Sequence, residues 1–234
     1  MIYIYISKIE HPLSDNLFDR YLKLLPESYM EKNNRFIKWE DKYAHLYGKL
    51  LTIIGLSNLG LPNNCLSEIK LNKFNKPYLE GCVDFNISHS GAYVLCAVSA
   101  NRRIGIDIEK IQNIELKDFE KYLTKHLWDI INHSDKPLHT FYKYWSIIES
   151  IIKAEGQGLS LPIKDITFIG NEAHYKETIW YINELNIDDN YAASIVSNSL
   201  DNQFTFEEVS FNHDRSGRKS PSQSLLLKAT SKLI

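Results

Sequence analysis

Asp107 and Glu109 stand two apart in IGIDIEKI, residues 104–111, which alternates apolar and polar as a β-strand does, so both carboxylates project to one face. WSIIESIIKAEGQGL, residues 145–159, has helical spacing instead. Trp145, Glu149 and Lys153 fall four apart on one stripe before Gly156 and Gly158 end the helix. Where strand and helix meet, three carboxylates converge with one ammonium. Burying that much like charge is costly unless a cation neutralises it, and a hard divalent ion such as magnesium or manganese, which takes oxygen ligands, answers the need. Each segment alone has a plainer reading. Asp107 and Glu109 would then be an exposed strand face, and Glu149 with Lys153 an ordinary helix ion pair worth about 0.3–0.5 kcal/mol.

A third polar group lies upstream in FNISHSGAYVLCAVS, residues 85–99. The pattern predicts a short strand over 85–88, a polar turn at Ser88-His89-Ser90-Gly91, and a strand over 93–99. Ser88 and His89 do not make a hydrolase nucleophile. The strained Gly-x-Ser-x-Gly elbow and an ordered third partner are both missing from the sequence around them.

The elements that must position these groups are readable in outline. IYIYI, residues 2–6, is a first strand, and residues 14–25 a short helix capped by Ser14 or Asp15, with Leu17, Tyr21, Leu24 and Leu25 inward. Residues 27–54 read as one helix with Phe36, Tyr43, Tyr47, Leu50 and Leu51 as the inner stripe. A strand over 66–71 leads to the turn KFNKP, residues 73–77, where Pro77 forbids helix before it. After the carboxylate strand come two short helices, 116–123 and 125–131. Beyond the Glu149 helix, strands at 166–169, 178–185, 191–196 and 204–209 read as the sheet of a second lobe, with a turn at Asp188-Asp189-Asn190. Residues 212–234 read as a flexible tail.

Length and composition set the class. The 234 residues suit one or two closely packed lobes; 44% hydrophobic and 24% charged residues with a formal net charge of -2 give no electrostatic footprint for nucleic acid or an anionic membrane. Cys65, Cys82 and Cys96 are odd in number and lack metal-ligand spacing, which suits a reducing cytosol. No apolar run reaches transmembrane length and no signal-peptide pattern opens the sequence, so a cytoplasmic location is expected.

The three segments, in this order and at these intervals, resemble the signature motifs of 4'-phosphopantetheinyl transferases of the surfactin-synthetase-activating type, and the resemblance runs from the first residues to about residue 209. It implies an α+β fold of two similar lobes related by a pseudo-twofold, residues 1–103 and 104–211, in a monomer. It implies transfer of 4'-phosphopantetheine from coenzyme A to a serine of an apo acyl or peptidyl carrier protein. By the same resemblance Asp107, Glu109 and Glu149 hold magnesium, Glu149 and Glu109 are candidates for taking the serine proton, and Lys153 adds positive charge beside them. Lys32, His45, Lys76, Ser88, His89, Asp107 and Lys153 are the implied coenzyme A contacts. Lys76 follows Asn75 where the family has Gly-Lys-Pro, and Asn also tolerates a left-handed backbone. The segment after the carboxylate strand borders the carrier groove in relatives.

Two departures bear on activity. Ile148 stands where the family has Lys before the motif glutamate, and His126 stands where many relatives carry a glutamate. They keep open a coenzyme A-binding relative with lost or weakened catalysis. A third reading is an interaction protein that retains only the fold.

Overall fold

The structure, a computed structural model, describes residues 1–200, 203–211 and 232–233. Its first half runs β1 (Ile2–Lys8), α1 (Asp15–Leu22), α2 (Glu27–Asn34), α3 (Trp39–Asn58), the short pair β2 (Lys70–Leu71) and β3 (Pro77–Tyr78), then β4 (Val83–Ser90) and β5 (Tyr93–Ala100). The second half repeats the scheme of a strand, a long helix and a returning antiparallel strand. It comprises β6 (Ile104–Lys110), α4 (Lys125–Asn132), α5 (Pro137–Glu155), β7 (Thr167–Ile169), β8 (Glu172–Tyr175), β9 (Thr178–Glu184) and β10 (Tyr191–Ser197). In each half the first strand pairs antiparallel with the returning one, β1 with β5 and β6 with β10.

Two strands follow, β11 (Phe204–Glu208) and β12 (Lys232–Leu233), and both join the first sheet, ordered β12-β11-β1-β5-β4. This corrects the assignment of 204–209 to a second-lobe sheet, because β11 runs parallel to β1 with Ile2 opposite Phe204. Lys232 and Leu233 pair with β11, so they form sheet and not tail; residues 212–231 and 234 of the expected tail lie outside the described residues.

Alternation on the strands sorts the core into layers. Ile2, Ile4 and Ile6 of β1 pack with Leu95 and Ala97, with Ile104, Ile106 and Ile108 of β6, and with Ala193 and Ile195, joining the two sheets. The opposite face of the first sheet carries Tyr5, Cys96 and Val98 against Tyr47, Leu50 and Leu51 of α3. The second sheet packs Trp180 and Val196 against Ile147, Ile148 and Ile151 of α5.

Several boundaries differ from those expected. The helix over 27–54 is broken at residues 35–38, where Lys38 is extended (φ -77°, ψ 132°) and Glu40 and Asp41 favour the new N-terminus. Buried Asn33 ties the pieces together, its Nδ2 donating to the Lys42 carbonyl at 2.8 Å. Residues 65–68 form a 3₁₀ turn ahead of β2. β4 runs on through Ser88, His89 and Ser90, so the turn is only Gly91-Ala92; Gly91 takes φ 54°, and a Cβ there would collide with the Tyr191 hydroxyl.

Gly105 sets how closely α5 lies on β6. A Cβ on Gly105 would overlap the Ser150 carbonyl oxygen and stand 2.8 Å from the Ala154 nitrogen, both backbone atoms of α5. Gly105→Ala should cost about 1–3 kcal/mol or more and lower the Tm by roughly 5–10 °C, read by calorimetry. A Tm unchanged within about a degree would remove this contact as a constraint.

Candidate active site

Gly105, Asp107 and Glu109 alternate along β6 and share the face on which α5 lies, so the close approach at Gly105 brings Lys153 onto Asp107. The Lys153 Nζ is 2.6 Å from Asp107 Oδ1, 2.8 Å from Ser88 Oγ and 3.3 Å from the Ile106 carbonyl. Lys153 therefore pairs across elements with the strand carboxylate and not with Glu149 one turn before it, as an ordinary helix ion pair would.

Ser88 is taken up completely. Its hydroxyl donates to Asp107 Oδ1 at 2.8 Å and accepts from Lys153 Nζ and from the Ile108 N–H at 3.3 Å, the full capacity of a hydroxyl. Ser90 repeats the arrangement two residues on, donating to Glu109 Oε2 at 3.1 Å and accepting the Lys110 N–H at 3.0 Å.

The carboxylates are electrostatically coupled. Asp107 is 3% exposed, and its Oδ2 is buried without a hydrogen-bond partner. Burial, then Asp107, push the Glu109 carboxyl up to about 7, with Glu149 adding to the rise while Ser90 and Lys153 oppose it. Glu149 is raised by burial and then by Asp107, against Lys153. An orphaned carboxylate oxygen and two carboxyls held back from ionising fit the donor chemistry of a hard cation. As the side chains lie, no three His, Cys, Asp or Glu groups among the described residues are arranged to hold a metal ion.

Above this node opens a cavity of about 520 Å³ between α3 and α5. Of the residues singled out in the sequence, Lys32, His45, Lys76, His89, Glu149 and Lys153 line it, whereas Ser88, Asp107 and Glu109 do not. Asp107 and Ser88 instead hold Lys153 from behind. Asn75 takes φ 65°, and the Asn72 side chain accepts the Phe74 and Lys76 N–H groups, which shapes the turn bearing Lys76. The Lys76 Nζ is 3.3 Å from Asp84 Oδ1 and 3.1 Å from the Ala154 carbonyl, so it ties the turn to both halves.

His45 is held neutral, its pKa pushed down to about 4 by burial and by Lys49, Lys32 and His89. His89 is lowered by burial and then Lys153, against Asp41 and Asp107. The cavity also gains Asp41 and Lys49 of α3, which the motifs did not mark. Their only sequence signal was position: Asp41, His45 and Lys49 lie four apart on one helical stripe. The two departures lie elsewhere. Ile148 is fully buried in the α5 core, and His126 is exposed on α4.

Both halves of the chain match known families. Residues 103–196 match the 4'-phosphopantetheinyl transferase superfamily, and residues 11–101 match the 4'-phosphopantetheinyl transferase N-terminal family. The chain is 35% identical over 164 residues to the 4'-phosphopantetheinyl transferase Sfp of Bacillus subtilis, covering 68% of this chain and 73% of that protein. It is 30% identical over 175 residues to the 4'-phosphopantetheinyl transferase gsp of Aneurinibacillus migulanus, covering 74% and 73%. A more distant relative is the L-aminoadipate-semialdehyde dehydrogenase-phosphopantetheinyl transferase of Xenopus laevis, 29% identical over 206 residues, with 73% and 67% covered. With both halves matched and the Asp107, Glu149 and Lys153 segment inside the match, the chain belongs to the 4'-phosphopantetheinyl transferase superfamily.

Proposed function

We propose that this chain transfers the 4'-phosphopantetheine group of coenzyme A to a serine hydroxyl of an apo acyl or peptidyl carrier protein, giving holo carrier protein and 3',5'-ADP. The observation that carries this reading is the cavity whose cationic wall ends at the buried Asp107–Lys153 pair, with Glu149 beside Lys153. A polyanionic ligand suits such a wall. Lys32, His45, Lys76 and His89 are proposed to hold its phosphates, and Lys153, fixed by Asp107 and Ser88, to set the charge where the reaction occurs.

Asp107, Glu109 and Glu149 are the residues that would hold magnesium or manganese. When bound, such an ion supplies a Lewis acid that stabilises charge developing along the pyrophosphate. In the transfer, the carrier serine oxygen bonds to the β-phosphorus, the bond from that phosphorus to the leaving 3',5'-ADP breaks, and the serine proton passes to a carboxylate. Glu149 on the cavity wall, or Glu109 through water, is proposed to accept it. A carboxylate that takes the proton in this way contributes about 10²–10⁴-fold. Neither Ile148 nor His126 lines the cavity, so no observation favours the catalysis-free alternative.

The same reading has the protein act as a cytoplasmic monomer on carriers of fatty-acid, polyketide or peptide synthesis, with neither nucleic acid nor membrane as partner. Three cysteines, odd in number and without metal-ligand spacing, suit a reducing compartment; no described helix is long and apolar enough to cross a membrane.

The direct test is the mass of an apo carrier protein after incubation with this chain, coenzyme A and magnesium. A gain of one phosphopantetheine that a chelator abolishes is expected, and no gain on any carrier would overturn the proposal. Asp107→Ala and Glu149→Ala should each slow transfer by roughly 10²-fold or more; Glu149→Ala should keep its Tm, Asp107→Ala, which leaves Lys153 without its carboxylate, should lower it, and a fully active double variant would sink the metal assignment.

A second test is the dependence of stability on pH. Glu109 binds its proton more tightly folded, at about 7, than in the unfolded chain, at 4.5; its contribution is present at low pH and is lost as pH rises from about 4.5 through 7. His45, lowered from 6.5 to about 4, acts with the opposite sign and is lost as pH falls. The comparison that isolates Glu109 is therefore wild type minus Glu109→Gln. Metal-free, the Tm difference should move in favour of the variant as pH rises from 5 to 8; a difference independent of pH would contradict the coupling.

A further inference from the structure

The cavity carries two kinds of cation. Lys76 and Lys153 each have a carboxylate, Asp84 at 3.3 Å and Asp107 at 2.6 Å. Among the described residues no carboxylate pairs with Lys32 or Lys49. Lys49 lies one turn beyond His45 on α3, part-buried, with its Nζ 5.0 Å from the Tyr29 ring centre. Burial and then Lys32 lower its pKa to about 8, so it stays mostly charged at neutral pH with nothing negative to meet.

His45 adds an independent sign of a missing partner. Its Nδ1 faces the Asn33 side-chain amide at 3.2 Å, which leaves Nε2 to carry the proton, and that Nε2 is buried without a partner. An ammonium and a ring N–H on one wall, both uncompensated, ask for an anion. Asp41 also lines the cavity and favours the charged form of His89, and among the described residues it forms no ion pair with Lys32 or Lys49.

We infer that Lys49 is a specificity-determining residue of this chain, which holds a phosphomonoester dianion against the α3 wall together with Lys32 and His45. The inference rests on the proposed coenzyme A site. That ligand carries a pyrophosphate, which belongs at the α5 wall with Lys153 and Glu149, and one ribose phosphomonoester, which is left for the uncompensated cations. Lys49 thereby makes the cavity select ligands that keep the phosphomonoester.

Isothermal titration of the full chain with coenzyme A and with dephospho-coenzyme A tests this, using wild type, Lys49→Met and Lys49→Arg. Wild type should bind coenzyme A the more tightly. Lys49→Met should lose about tenfold or more in affinity for coenzyme A while its affinity for dephospho-coenzyme A stays unchanged, which also certifies its fold. Lys49→Arg, keeping the charge, should retain the preference. An unchanged coenzyme A affinity in Lys49→Met overturns the inference alone. Equal losses on both ligands in both variants assign Lys49 to the fold and overturn it as well. Wild type binding neither ligand overturns the coenzyme A site and this inference with it.

Discussion

The ammonium of Lys153 is the contact on which the site depends, because a single nitrogen touches groups from three elements: Ser88 of β4, Asp107 and the Ile106 carbonyl of β6, and, through its own chain, α5. Asp107 is nearly inaccessible to water, and a carboxylate there without a cation would carry a large desolvation cost. Stripping one partner from such a buried pair commonly costs about 3–5 kcal/mol, because the other charge is left uncompensated. Three carboxylates can thus stand near one another in a folded protein, with part of their repulsion already offset by the chain's own cation.

The junction of the two halves is built by the same economy of polar atoms. β4 and β6 run beside each other, but side chains and not carbonyls complete the bonding. Asp84, Asn86, Ser88 and Ser90 accept the N–H groups of Ile104, Ile106, Ile108 and Lys110 in turn. Every second residue of β4 is therefore polar for a backbone reason, satisfying donors that would otherwise be buried and unpaired. Three of the four have a second task, since Asp84 holds Lys76 while Ser88 and Ser90 hold Asp107 and Glu109. The seam that joins the halves is also the shell that orients the site.

This double use explains what could be read from the chain and what could not. β6 and α5 were legible because a strand's alternation and a helix's four-residue spacing each place chemistry on one face, and Gly156 ends α5 in the left-handed conformation (φ 68°). The role of Ser88 was hidden. A serine that saturates its hydroxyl on buried neighbours reads in sequence like one that meets a ligand, and the run of polar residues disguised the end of β4 as a turn. The break between α2 and α3 has no Gly or Pro to announce it, and Asn33, which makes the break stable, resembles a surface residue until its bonds to Lys42 and His45 are seen. Lys49 is one of two lysines on α3 and no motif marked it; what distinguishes it is that no carboxylate among the described residues pairs with it.

The parallel pairing of β1 with β11 joins residue 2 to residue 204 and lays β1 beside a segment made some two hundred residues later. During synthesis the outer edge of β1 stays open until β11 emerges, while β5 closes the other edge some hundred residues earlier. The nascent first half therefore carries an unpaired strand edge until β11 is made. It is then sealed by a contact of high sequence separation, the kind that forms slowly and leaves a partly made chain open to wrong partners.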